Sequence, residues 1–322
     1  MTVSVLGSGA FGTALALSLA TKTHVTLWAR DARHATQMRD DRCNRRRLGD
    51  FPFPQTLTVT QSLDQAALPG TLLLAVPLQQ LRGFLTSCEG RLRGKTLVAC
   101  CKGIERGTGL SPHEIIGALV PDATAAVLTG PGFARDIAAG LPTAMTLACG
   151  DSETAESLQS DLSTATLRLY RSSDVTGAAL GGALKNVVAI ACGAAMGAGL
   201  GESARAALMT RGNAEMARLA ALRGADPATL SGLSGFGDLV LTCTSEQSRN
   251  YRFGLSLGQN AEFDPETTVE GAATALAMQA TAEAQGLDMP ITSAVAGLVE
   301  KRLDVAQAMS GLLSRSLKEE IC

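Results

Sequence analysis

The sequence predicts a doubly wound α/β sheet domain followed by an all-α domain. Three observations predict it: an apolar strand, a glycine-rich turn and an Ala/Leu-rich helix follow one another at the start of the chain, short apolar runs alternate with helical segments through the first half, and the strand pattern stops after Asp174. At 322 residues the chain exceeds one core of ordinary size, so two domains are expected, with residues 1–173 forming the sheet domain and 174–322 the helical domain.

Strands are expected at Val3–Leu6, His24–Trp28, Thr71–Val76, Thr96–Cys101 and Ala125–Leu128, where β-branched or apolar residues cluster between turn-forming segments. Gly12 to Thr21 has the composition of a crossover helix between the first two. Thr143–Leu147 and Thr166–Tyr170, bracketing a helix from Ser152 to about Ser163, are expected to extend the sheet. Beyond Asp174 the sequence reads as helices rich in Ala, Leu and Gly, broken at Gly199-Leu200-Gly201, Ala225-Asp226-Pro227 and Met289-Pro290.

Composition removes several function classes. The formal net charge of -2 gives no global attraction for nucleic acid or an anionic membrane, and one Trp with two Tyr offers no stacking platform for single strands. The eight cysteines contain no CxxC pair and no His/Cys spacing that suits zinc, so no metal is expected and the thiols are read as reduced. The chain starts directly on a strand pattern without a basic, apolar leader, which places the expectation in the cytoplasm. Val187 to Leu200 is apolar but shorter than the ~20 residues that span a bilayer, so it is read as a buried core helix and no stable membrane insertion is expected. The arginines at 42, 45, 46 and 47 precede the turn Phe51-Pro52-Phe53-Pro54 and are read as a solvated loop.

Gly7-Ser8-Gly9-Ala10-Phe11-Gly12 is a complete GxGxxG between a strand and a helix, the context in which a Rossmann-type domain holds a dinucleotide. Gly7 permits the turn, Gly9 lets backbone amides approach a pyrophosphate, and Gly12 lets helix and strand pack closely, with the helix N-terminus facing the anion. The second strand runs into Arg30-Asp31. Arg30 would grip a 2′-phosphate and favour NADPH, whereas Asp31 would accept from ribose hydroxyls and favour NADH; Arg30 is preferred as the contact, and the cofactor is read as NADPH or NADH.

Hydride transfer to or from an alcohol carbon needs a group that moves the hydroxyl proton. The three histidines, His24, His34 and His113, all lie in the first half without a carboxylate to orient them, and are read as surface or packing residues. Lys185 stands in the otherwise apolar helix Gly181 to Ala189, where an ammonium loses hydration unless it has partners or a lowered pKa, and either condition suits proton transfer. If Asp238 to Arg249 is helical, Asp238, Thr242, Ser245 and Arg249 share a face, and Arg249 beside hydroxyl and amide donors has the chemistry for phosphate. Lys102-Gly103 and Gly130-Pro131-Gly132-Phe133-Ala134 end parallel strands at the same crevice. Lys102 is read either as a phosphate ligand or as a like charge that lowers the pKa of Lys185, with Asp238 acting in the opposite sense.

Taken together, GSGAFGTALA from Gly7, CKGIE from Cys101, TGPGFA from Thr129, GLPTA from Gly140, GGALKNVVAIA from Gly181, GFGDLVLTC from Gly235, SRNYRFG from Ser248 and VEG from Val269 resemble the bacterial NAD(P)-dependent glycerol-3-phosphate dehydrogenase family, from Val5 to about Thr292. The resemblance implies a cytoplasmic homodimer that interconverts dihydroxyacetone phosphate and sn-glycerol 3-phosphate for phospholipid synthesis. It implies Lys185 as the proton-transferring group, with Lys102, Gly130, Gly132, Asp238, Ser248, Arg249 and Asn250 around a small phosphorylated substrate. Cofactor contacts implied in the same way come from Ala10, Phe11, Arg30, Lys102, Ala134, Arg249, Thr268 and Glu270. The chain departs from the family pattern at Gly132, where a hydroxyl residue is common, and at Asp136, where glutamate is common. Two other readings remain at this point: a β-hydroxyacid or 6-phosphogluconate type dehydrogenase, which also carries a lysine on the first helix after the dinucleotide domain, and a nicotinamide-sensing module without turnover.

Overall fold

The computed structural model describes residues 2–316. Eight strands form one sheet: β1 (Thr2–Leu6), β2 (His24–Trp28), β3 (Leu57–Thr60), β4 (Thr71–Leu74), β5 (Thr96–Ala99), β6 (Thr124–Thr129), β7 (Thr143–Cys149) and β8 (Leu167–Ser172). Their spatial order is β3-β2-β1-β4-β5-β6-β7-β8, and β7 is antiparallel to β6 while the other neighbours pair in parallel. Leu72, Leu73 and Leu74 are buried in sequence, as expected of a parallel strand covered on both faces. Two apolar clusters lie on the two sides, one around Val5, Leu15 and Leu27, the other around Leu6, Leu74, Leu81 and Ile116.

The seven expected strands are present with ends shifted by a few residues. β3 is additional. Its Leu57-Thr58-Val59-Thr60 segment is short and follows the proline turn, so its strand character comes from pairing with β2. α1 (Ala10–Ala20) and α7 (Ser152–Leu162) lie where helices were expected. Other helices covering the sheet are α2 (Ala32–Asp41), α3 (Leu63–Ala66), α4 (Leu78–Leu92), α5 (Pro112–Leu119) and α6 (Ala134–Ala138).

After β8 the chain turns at Asp174, whose carboxylate caps α8 by accepting from Gly177 N at 2.8 Å. α8 (Val175–Gly197) is 23 residues long, longer than the apolar run suggested, and Lys185 lies in its middle. Its length and composition would suffice to cross a membrane, but 94% of its apolar window is buried inside the protein. Around it pack α9 (Gly201–Leu222), α10 (Asp238–Cys243), α11 (Arg249–Gly258), α12 (Glu270–Gln285), α13 (Pro290–Val299) and α14 (Val305–Leu313). α8 and α11 cross backbone to backbone: a Cβ on Gly193 would lie 2.1 Å from Tyr251 O, and one on Gly254 2.0 Å from Ile190 O. This contact fixes the distance between the helix of Lys185 and that of Arg249.

Glu215 on α9, 4% exposed, accepts from Ile291 N at 2.6 Å, Thr292 N at 3.2 Å and Thr292 Oγ1 at 3.1 Å, thereby capping α13. Glu215→Ala leaves two buried amides without their acceptor and is expected to destabilise the fold by about 2–4 kcal/mol, read from urea denaturation. A loss below about 0.5 kcal/mol, the range of ordinary surface substitutions, would contradict this capping role.

Seven cysteines are free among the described residues, Cys322 lies outside them, and no cluster with metal-ligand composition occurs among them.

Candidate active site

The glycine turn has the geometry that its sequence requires. Gly7 adopts φ of +126°, and a Cβ there would stand 2.5 Å from Ala75 O; a Cβ on Gly12 would stand 2.1 Å from Gly7 O. At Gly9, in contrast, a Cβ would meet nothing within 4 Å. Its missing side chain therefore leaves open space in front of α1, whose N-terminus carries no side-chain cap. An uncapped helix N-terminus behind an open glycine cradle fits the pyrophosphate of a dinucleotide. Ala10 and Phe11 open the helix, and Phe11 packs against the sheet core.

Arg30 is exposed at the exit of β2. Asp31 caps α2 through Oδ1, which accepts from Arg33 N at 2.9 Å and His34 N at 3.2 Å. Asn44, 1% exposed, was not singled out by the sequence. Its amide donates to Ser8 O at 3.0 Å and Thr13 Oγ1 at 2.8 Å, tying the arginine-rich loop to the glycine turn. Arg45, Arg46 and Arg47 in that loop are exposed, as expected.

The sheet and helices meet at a cluster of four side chains, Lys102, Lys185, Asp238 and Thr242. Lys185, 6% exposed, donates to Thr242 Oγ1 at 2.6 Å and lies 3.0 Å from Asp238 Oδ1. Asp238 Oδ2 lies 2.5 Å from Lys102 Nζ, which also donates to Gly130 O at 3.1 Å. Thr242 Oγ1 is 3.2 Å from Asp238 Oδ1 and closes the set. One buried carboxylate thus stands between two ammonium groups brought from different parts of the chain.

Burial pushes the Lys185 ammonium down to about 8; the Asp238 charge opposes this shift and the Lys102 charge adds to it. For Asp238, burial acts upward, but the two lysines outweigh it and hold the carboxyl below its ordinary value. An amine titrating near neutrality can both give and take a proton under ordinary conditions.

The expected four-residue stripe is only half present. α10 carries Asp238 and Thr242 on one face but ends at Cys243, and α11 starts afresh at Arg249. Ser245 lies in the connection, where its hydroxyl accepts from Gln247 N at 3.2 Å. Thr244 and Ser248 also satisfy local backbone, Thr244 by donating to Val240 O and Ser248 by capping α11 through Tyr251 N. Such hydroxyl bonds compete with a continuous helix.

Arg249 opens α11 with much of its surface exposed, and burial of the remainder pushes its pKa down against the opposing charge of Glu270. Asn250, 9% exposed, donates to Asn186 Oδ1 at 2.9 Å and accepts from Gly271 N at 2.9 Å. This relay joins the neighbours of Lys185, Arg249 and Glu270, and fixes three helices relative to one another. Glu270 is the first residue of α12, and burial raises its pKa against Arg249 and the Leu78 amide. Thr268 is exposed just before that helix, and Ala134 opens α6. Gly130 has φ of +136°. A Cβ on Gly132 would approach Ile137 Cδ1 at 3.2 Å, Thr143 Cγ2 at 3.3 Å and Met145 Sδ at 3.4 Å, so these three side chains closely surround that position.

Sequence reasoning did not single out Asn44, Asn186, Arg82 or Glu105. Their partners are distant in sequence, and no local spacing marks them.

Two family profiles match this chain: the N-terminal part of NAD-dependent glycerol-3-phosphate dehydrogenase over residues 2–155, and its C-terminal part over 174–310. A glycerol-3-phosphate dehydrogenase [NAD(P)+] of Roseobacter denitrificans is 63% identical over 320 residues, covering 99% of this chain and 100% of that protein. The chain belongs to the NAD(P)-dependent glycerol-3-phosphate dehydrogenase family. A second member, from Ruegeria sp., is 61% identical over 320 residues, covering 99% of this chain and 100% of its own length. The crystal structure of the glycerol-3-phosphate dehydrogenase from Coxiella burnetii superposes with a TM-score of 0.91 at 38% identity, covering 98% of this chain and 99% of that one. Membership of the glycerol-3-phosphate dehydrogenase family disfavours the β-hydroxyacid and non-catalytic alternatives.

Proposed function

We propose that this protein is an NAD(P)H-dependent glycerol-3-phosphate dehydrogenase that interconverts dihydroxyacetone phosphate and sn-glycerol 3-phosphate and supplies glycerol 3-phosphate to phospholipid synthesis. Residues 1–173 supply most of the cofactor contacts, and 174–322 supply most of the substrate-binding and catalytic groups together with the remaining cofactor contacts. The observation that carries this reading is Lys185, buried against Asp238 and Thr242 and facing Lys102 across the same carboxylate.

Gly7, Gly9 and Gly12 with the amides of Ala10 and Phe11 receive the pyrophosphate, while Arg30, Ala134, Thr268 and Glu270 complete the cofactor site. The nicotinamide, when bound, supplies or accepts the hydride. In ketone reduction, protonated Lys185 gives its Nζ proton to the carbonyl oxygen as the carbon receives hydride, and then recovers a proton from solvent. In alcohol oxidation, neutral Lys185 removes the hydroxyl proton. Asp238 orients both lysines. Arg249 binds the substrate phosphate through its guanidinium fork, with Ser248, Asn250 and the Gly130 and Gly132 backbone nearby.

The proposed setting is a cytoplasmic homodimer; the free thiols among the described residues suit a reducing compartment. Initial rates at 340 nm with each reduced nicotinamide test the activity. Turnover with dihydroxyacetone phosphate and negligible turnover with small ketoacids are expected. Cofactor binding without turnover of dihydroxyacetone phosphate would contradict the proposal.

A further inference from the structure

Residues 100–111 join β5 to α5 and carry Lys102 near their start. The segment directly after Lys102 is restrained from several sides. Gly103 has φ of +130°, with Leu78, Thr274 and Glu270 around its Cα. Ile104 is 1% exposed and belongs to the apolar cluster of Leu180, Ala183 and Leu184, so a residue from the sheet half is anchored in the helical core. Its carbonyl accepts from Gln79 Nε2 at 2.8 Å, and its amide makes a long 3.4 Å bond to Thr274 Oγ1.

Next comes Glu105, 6% exposed. Its carboxylate pairs in two-pronged fashion with Arg82 of α4, Nε to Oε1 at 2.9 Å and Nη2 to Oε2 at 2.8 Å, and accepts from Thr108 Oγ1 at 2.5 Å. A bidentate ion pair is stronger and more directional than the neutral bonds around it, and a buried carboxylate that loses its partner must move toward water or take up a proton. Two residues separate this anchor from Lys102, and the packing of those two, Gly103 and Ile104, connects them.

We propose that Arg82 and Glu105 are positioning residues, a clamp that holds Lys102 at Asp238 without touching the reacting atoms. The inference rests on the roles proposed above for Lys102 and Lys185. Lys185 is faced by Asp238, Thr242 and Cys243 from α10 and by Lys102 from this loop, so displacement of Lys102 removes a positive charge that, added to burial, lowers the Lys185 pKa against the opposing charge of Asp238.

The test compares Arg82→Ala, Arg82→Lys and Lys102→Ala with the unmodified enzyme, measuring the pH dependence of kcat/KM for glycerol 3-phosphate oxidation alongside the melting temperature. The Arg82 side chain is 36% exposed, so its truncation is compatible with folding. Arg82→Ala is expected to lower kcat/KM about 10–100-fold and to move the rising limb upward by about half a pH unit, with a fall in melting temperature from the unpaired Glu105 that leaves the enzyme folded at the assay temperature. Lys102→Ala moves the limb in the same direction, and Arg82→Lys recovers part of both effects. If Lys102→Ala shifts the limb but Arg82→Ala does not, the clamp is overturned while the role of Lys102 stands. Should Lys102→Ala leave the limb in place, the role of Lys102 fails and the clamp with it. Loss of activity in Arg82→Ala that follows a fall in melting temperature, with the limb unmoved, also overturns it.

Discussion

Replacing Lys185 with alanine is expected to lower kcat by about 10²–10⁴-fold in both directions while NADPH binding is retained. The reason is local. Lys185 lies in the middle of the buried helix α8, whereas Gly7, Gly9 and Gly12 belong to the turn between β1 and α1, so truncation removes the amine proposed to transfer the proton without touching the glycine turn. Fluorescence titration with NADPH separates the two roles. Turnover near that of the unmodified enzyme would reject Lys185 as the acid and base.

Asp238→Asn should lower kcat/KM by about 10²–10³-fold, because two lysines then face each other across a neutral amide. The pH dependence gives the sign. Asp238 favours the protonated form of Lys185, so its loss lowers the amine's pKa beyond the shift that burial already causes. In oxidation the reactive form is the neutral amine, and the rising limb of kcat/KM therefore moves to lower pH. In reduction the reactive form is protonated, and the falling limb moves the same way. An upward movement in either direction would show that Asp238 does not act on Lys185 through its charge. Lys102→Ala moves the limb oppositely, so the two variants bracket the unmodified enzyme.

Much of this arrangement is legible in the sequence because the informative signals are local. The GxGxxG turn, the short apolar strands and the loss of strand pattern after Asp174 lie in contiguous residues. Lys185 stands out as a lone charge within an apolar run, and the opposing effects of Lys102 and Asp238 follow from chemistry once their motifs are placed at one crevice. What escaped notice depends on distant partners or on local hydrogen-bond choices that residue spacing does not decide. β3 owes its form to β2, and its four residues after a proline turn carry little intrinsic strand signal. The stripe from Asp238 to Arg249 fails because Thr244, Ser245 and Ser248 bond to nearby backbone, a competition that spacing alone does not resolve. Asp31 Oδ1 caps a helix, a role that its place at a strand exit does not by itself disclose, and Glu105 finds Arg82 from 23 residues away. Each outcome is a choice between hydrogen-bond partners, made when the chain folds.

The most direct measurement is a crystal structure with NADPH and dihydroxyacetone phosphate bound. Lys185 Nζ is expected about 2.6–3.2 Å from the ketone oxygen, still in contact with Asp238, with Arg249 on the phosphate. A complex in which Lys185 remains enclosed by Asp238 and Thr242, while a different titratable group reaches that oxygen, would contradict the assignment.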